Sequence, residues 1–237
     1  MKVVTSLLFN ILFYCNLIMW VIVHMPVLVL PQRYVLGVAR RWSASSLWLL
    51  EHVAGIKADF RHLERIPNQG ILVASKHQSF WETFALFQVF DAPAFVLKRE
   101  LTWIPIFGWY LKKVGCVAVN RETGEQSVRG MVTQVKEILR QGRQVIIFPE
   151  GTRRAPGAPP DYKRGIVLLY RMCKAPCVPV ALNSGLFWPR RRFIRNPGTV
   201  VVEICPAIEP GQHHEVFLNN LQTTIEETTE RLIRDHG

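Results

Sequence analysis

His77 and Glu82 stand five positions apart in the run Lys76-His77-Gln78-Ser79-Phe80-Trp81-Glu82. A neutral imidazole accepts a proton near neutrality, its reference pKa being about 6.5. A carboxylate bonded to the other ring nitrogen fixes the tautomer and stabilises the imidazolium. The pair has the make-up of a general base and its partner, although His-x4-Glu alone arises in many chains by chance. A second polar cluster, Phe148-Pro149-Glu150-Gly151-Thr152-Arg153, offers a carboxylate, a hydroxyl and a guanidinium. Glu150 and Thr152 can bind substrate hydroxyls or hold their loop in shape, and loop-holding suits Glu150 better. Arg121, Arg153, Lys98 and Lys163 each follow or neighbour a strand-like run. Arginine presents a two-pronged fork to phosphate, and lysine a point charge. Singly, each is an ordinary solvated cation; together, at successive strand ends, they point to an anion site.

Both clusters need strands to position them. Residues 71–75 and 145–148 are short apolar runs that end at the two clusters. In open α/β sheets chemistry gathers at the carboxyl ends of strands, so two such ends predict one site. Further strands are expected at 94–97, 116–119, 178–182 and 199–204. Val128, Met131, Val132, Val135, Ile138 and Leu139 repeat at helical spacing, with Gly142 placed to cap that helix. A buried helix is expected at 166–172 and an amphipathic one at 216–233. The fold class is α/β: a mixed, largely parallel central sheet flanked by helices, carrying an N-terminal membrane-associated helical segment. Residues 1–58 make the anchoring helices and 59–237 the catalytic domain.

Residues 3–30 contain no Asp, Glu, Lys or Arg. About 20 apolar residues suffice to cross a bilayer as a helix. Asn10, Asn16 and His24 interrupt the run, and Pro26 ends or kinks it. No small-x-small cleavage site precedes Pro31, so a cleaved signal peptide is not expected. Arg33, Arg40 and Arg41 follow the run, which favours a cytoplasmic membrane protein with its catalytic domain facing the cytoplasm. The amphipathic stretch 34–53 suits either the membrane interface or packing on the domain. Residues 186–195 mix aromatics with arginines and suit either lipid docking or a solvated loop.

The 237-residue chain carries 29 Lys+Arg against 18 Asp+Glu, a net charge of +11. That balance implies an anionic partner: nucleic acid, anionic lipid or a phosphorylated substrate. No nucleic-acid module is recognisable, so nucleic acid is not expected. Five cysteines without paired spacing read as reduced core or membrane residues. Neither Cys173-x3-Cys177 nor His213-His214-Glu215 has a ligand-spaced partner, so no metal is expected. The nucleophile elbow Gly-x-Ser-x-Gly of a lipase is missing from the sequence.

Four motifs in order resemble the glycerolipid acyltransferases, most closely their bacterial 1-acyl-glycerol-3-phosphate members. They are His77 to Glu82, Gly115-Cys116-Val117-Ala118-Val119-Asn120-Arg121, Phe148 to Arg153, and Val178-Pro179-Val180. Glu82 replaces the family's usual Asp; Ala118 and Asn120 replace a bulkier apolar residue and an Asp. The resemblance implies direct acyl transfer from acyl-CoA or acyl-acyl carrier protein to the sn-2 hydroxyl of lysophosphatidic acid, giving phosphatidic acid, with no other cofactor. It implies that His77 is the base and Glu82 its partner. Arg121 and Arg153, with Lys98, would hold the acceptor phosphate, while Glu150, Gly151 and Thr152 shape the loop. Residues 101–109 would line the acyl path, face the membrane or pack in the core. Another lysolipid acceptor, or a non-catalytic basic membrane-binding protein, remains as an alternative.

Overall fold

The computed structural model describes residues 2–119 and 125–236. Among these, seven strands form one sheet. Its order is β1 (Ile56–Arg61), β7 (Gly198–Ile204), β6 (Cys177–Leu182), β2 (Ile71–Ser75), β5 (Gln144–Ile147), β3 (Ala94–Lys98) and β4 (Val117–Val119). Every neighbouring pair is parallel except β6 with β7. The three central strands are the continuous apolar runs, as strands covered on both faces must be. Alternation along them feeds two separate cores. Ile71, Val73, Ile146, Val178 and Val180 face one, while Leu72, Ala74, Val145, Ile147 and Cys177 face the other.

Helices α5 (Glu125–Arg140), α6 (Gly165–Cys173) and α8 (His214–His236) cover the second face, through Val135, Leu169 and Phe217 among others. Gly142 does terminate α5: its φ is +74°, and its N–H bonds the Leu139 carbonyl. The first face is covered by α1 (Lys2–Val23), α2 (Gln32–Leu49) and α3 (Glu82–Val89). Two short helices, α4 (Phe107–Val114) and α7 (Ser184–Phe187), complete the set. All five cysteines are free thiols. Burial pushes the Cys177 thiol up to about 12, the mark of an inert core thiol.

β1 is an addition to the strands read from the sequence. Its apolar Ile56, Ala58 and Phe60 alternate with charged Lys57, Asp59 and Arg61. It is a sheet edge whose partner β7 is remote in sequence, so no hairpin signal marks it.

The N-terminal helices share the first core. Phe9 and Phe13 are completely or almost completely buried. Trp188 meets them edge-on, with ring centres 5.4 Å and 5.5 Å away. Burying one such side chain is worth about 1.5–3 kcal/mol. The asparagines that interrupt the apolar run are contacts rather than flaws. Asn16 donates to Ser45 and Ser46 of α2 at 3.0 Å and 3.1 Å. Asn10 accepts from the Arg195 guanidinium at 2.8 Å. The opposite side of α1 is apolar and bare, with Val4, Leu7, Ile11, Ile18 and Ile22 exposed. The helix is long and apolar enough to cross a membrane, yet only one of its sides is free of protein.

Arg195 is the clasp between α1 and the sheet. It is buried, lies 4.3 Å above the Trp188 ring and donates to the carbonyls of Arg192 and Phe193. Its own N–H donates to Ser6 Oγ at 2.9 Å. Burial lowers its guanidinium pKa to about 10. The expectation that residues 186–195 form one lipid-docking or solvated segment is thus corrected here: Arg195 turns inward and binds α1. Hydrogen bonds to a charged group are worth about 1.5–3 kcal/mol, so Arg195→Ala is expected to destabilise on that scale. The readouts are a lower melting temperature and faster trypsin cleavage after Arg33. Arg195→Lys should recover part of the loss; wild-type melting and cleavage in Arg195→Ala would refute the clasp.

Candidate active site

β2 and β5 lie side by side in register, Ala74 opposite Ile147. Their carboxyl ends therefore deliver the loops 76–81 and 148–153 to the same rim. The Arg154 N–H donates to the His77 carbonyl at 2.8 Å, tying one loop to the other. Gly151 adopts φ +64°, a left-handed conformation that glycine takes without strain, and so lets the second loop turn back.

His77 Nδ1 and Glu82 Oε1 are 2.8 Å apart. Glu82 opens α3, and its carboxylate folds back to the N-terminal turn, where negative charge is favoured. The same Oε1 accepts the N–H groups of Gln78 and Ser79, each at 2.7 Å. Oε2 accepts the Ser184 hydroxyl at 2.8 Å. Glu82 is fully buried. A carboxylate only accepts, so in the neutral ring Nδ1 carries the proton and Nε2 keeps the lone pair. The imidazole stacks on Phe148 with ring centres 3.9 Å apart. The extra methylene of Glu, relative to Asp, is accommodated without loss of the His contact.

Beneath the two loops lies a buried ion cluster. Lys76 Nζ contacts Glu150 Oε1 at 3.0 Å and both Glu226 oxygens at 2.8 Å. The Tyr162 hydroxyl donates to Glu226 Oε1 at 2.9 Å. Burial raises the Glu150 pKa, while Lys76 opposes that shift. Burial, then the adjacent Glu226, pushes the Tyr162 hydroxyl far up. Glu150 faces this cluster, whereas Gly151, Thr152 and Arg153 face open space with His77.

That open space is a cavity of ≈ 1170 Å³. Lys98, at the end of β3, also lines it. Arg121 lies outside the described residues. Leu17, Trp20, Leu101, Phe107 and Leu111 form apolar wall. Within 101–109, Leu101 and Phe107 thus reach the cavity, while Trp103, Ile104 and Trp109 are exposed. Burial first, then repulsion from Arg190 and Arg191, lowers the Arg153 pKa, while Glu82 opposes this. His213 and His214 sit exposed around the start of α8. Among the described residues no three His, Cys, Asp or Glu side chains gather as a metal site.

Sequence reasoning missed Ser184, Lys76, Glu226 and the cavity-lining role of Arg190 and Arg191. Ser184 lies just past the end of β6, so applying the strand-end rule to a third strand finds it. Glu226 carries no local signal, being one of many acids on a polar helix.

The acyltransferase family model matches residues 57–183. A 1-acyl-sn-glycerol-3-phosphate acyltransferase of Pseudomonas aeruginosa is 39% identical over 77% of this chain and 71% of its own length. Another so named, from Borreliella burgdorferi, is 28% identical over 76% of this chain and 71% of its own. The chain spans about half the length of a chloroplastic relative from Arabidopsis thaliana, LPAT1, which is 28% identical over 81% of this chain and 53% of that protein. The crystal structure of the LPA acyltransferase PlsC from Thermotoga maritima shares the fold, with a TM-score of 0.83 over 98% of each chain at 22% identity. With more than half of its length matched by the family model, the chain belongs to the acyltransferase family.

Proposed function

We propose that the protein transfers an acyl group from a thioester, acyl-CoA or acyl-acyl carrier protein, to the sn-2 hydroxyl of 1-acyl-glycerol-3-phosphate, giving phosphatidic acid. The observation that carries this reading is a histidine with a free nitrogen, oriented by a buried carboxylate, in a cavity with both cationic and apolar walls. The relatives' names support the acceptor.

In this reading His77 Nε2 takes the proton of the acceptor hydroxyl as its oxygen attacks the thioester carbonyl carbon. The tetrahedral intermediate collapses, the C–S bond breaks, and the imidazolium returns the proton to the departing sulfur. Glu82 stabilises the imidazolium without taking its proton. Backbone N–H groups of the loops would hold the oxyanion. Arg153 and Lys98, with Arg121, would grip the acceptor phosphate, while the apolar walls take acyl chains. A thioester is already activated, so the reading asks for no further cofactor. Glu150 acts through Lys76, holding the loop that carries Arg153.

The bare side of α1 supports docking on a membrane, with the opposite side fixed to the catalytic domain. We propose a protein held at the cytoplasmic membrane by this face. Deleting residues 1–31 would strip Phe9 and Phe13 from the core, so anchoring calls for point substitutions.

His77→Ala is expected to lose about 10²–10⁴-fold in kcat with its melting temperature retained. Labelled phosphatidic acid formed from lysophosphatidic acid measures this, and near-normal turnover would sink the mechanism. Glu82→Gln should fold, because its amide oxygen keeps the Oε1 bonds and its NH₂ can donate to Ser184, yet turn over slowly for want of charge. Glu82→Asp should stay partly active. Arg153→Ala should raise the KM for lysophosphatidic acid more than that for the donor, with Arg153→Lys between it and wild type; equal rises in both constants would argue against an acceptor role. Ile11→Ser with Ile18→Ser should weaken co-sedimentation with vesicles without lowering the melting temperature. Undiminished vesicle binding would remove α1 as the anchor.

A further inference from the structure

The cavity holds more positive charge than its acceptor needs. Lys98, Arg153, Lys163, Arg164, Arg190 and Arg191 line it, with no Asp or Glu among the described lining residues. Lys163 is neutralised by Asp161, at 2.7 Å from both oxygens. Five cations remain, Arg153 among them partly offset by Glu82 behind His77, and a phosphomonoester brings only about −1.5 to −2 at neutral pH. Arg190 and Arg191 both repel the Arg153 guanidinium, and an anion between them would relieve that repulsion.

Arg190 and Arg191 mark where that anion belongs. Arg190 Nη1 donates to the Arg153 carbonyl at 2.8 Å, fixing it to the loop that borders His77. Arg191 adopts φ +56°, so the chain turns sharply and brings its side chain back to the cavity, though arginine does not favour that conformation. Both residues are exposed, so the part of the cavity they line opens to solvent. Among the described residues neither pairs with a carboxylate. Arg195, of the same segment, is spent on α1.

A thioester donor must place its carbonyl at His77 and lead its arm out past the rim. The phosphate of a pantetheine arm lies at the end remote from sulfur. We propose that Arg190 and Arg191 form a second anion subsite, which binds the phosphate of the donor's phosphopantetheine arm. This chemistry is shared by coenzyme A and a carrier protein. The proposal rests on the acyl-transfer reading above. A subsite for bilayer phosphate is the competing use of the same cations; lining the reaction cavity favours the donor.

The test uses the full-length protein in mixed micelles with four donors of one chain length: acyl-CoA, acyl-phosphopantetheine, acyl-pantetheine and acyl-acyl carrier protein. Wild type is expected to show a KM roughly tenfold higher for acyl-pantetheine than for acyl-phosphopantetheine, the scale of one charge-assisted contact. In Arg190→Gln with Arg191→Gln that ratio should collapse toward one, with a smaller change in the KM for lysophosphatidic acid and a melting temperature that shows folding. CoA against carrier protein then tells which source of the phosphate is preferred. A wild-type phosphate preference retained in the variant overturns the proposal. So does a rise confined to the KM for lysophosphatidic acid, or a loss of vesicle binding alone. Failure of wild type to acylate lysophosphatidic acid from every donor would instead bring down the underlying reading together with the proposal.

Discussion

The arrangement depends on one buried ammonium group. Lys76 is 3% exposed and is the residue before the histidine. It joins three parts distant in sequence: the end of β2, the loop after β5 through Glu150, and the C-terminal helix through Glu226. An ammonium taken out of water is held only if several acceptors surround it. Removing one partner from such a pair costs about 3–5 kcal/mol, because the remaining charge stays buried. The two loops are thus cross-linked from below by charge. From above they meet through the His77 carbonyl and the Phe148 ring. Neither loop can move without disturbing the other.

Glu82 shows how the same economy serves the imidazole. Four hydrogen bonds converge on one side chain, from a ring, two backbone amides and a hydroxyl. Three of the donors belong to the loop after β2 and the fourth, Ser184, opens α7, so the carboxylate organises the turn that presents His77. Gln78 repeats the pattern on a smaller scale. Its side-chain oxygen accepts the Gly185 N–H at 3.0 Å, at a place where an added Cβ would press on Pro156 and on Gln78 itself. The third strand end is thereby drawn into the rim.

How much of this was legible depended on range. β2 was readable to the residue, and β6 and β7 to within one residue, since each carries an apolar run buried in the sheet. β1 was not, because an edge strand with alternating charges looks like surface until its partner is known. At the site, His77, Glu82 and the 148–153 cluster were visible as local motifs, and the structure brings them together. Ser184 and Glu226 were invisible because their roles arise from contacts across 102 and 150 residues of chain. Residues 186–195 misled for another reason. Composition cannot tell an arginine that faces water from one that caps carbonyls, and Arg195 does the latter.

The clasp at Arg195 has a consequence for depth. Asn10 and Asn16 are bonded at two heights along α1, and Tyr110 also donates to the Val21 carbonyl at 3.0 Å. A helix fastened at three levels cannot pivot against the sheet. In the membrane-bound reading, the elevation of His77 over the lipid surface is then a constant of the protein, like the height of a blade set above a table. The lipid must bring its own hydroxyl to that height. In that reading bilayer thickness and headgroup packing would act on the rate by raising or lowering the lipid, with the protein standing still.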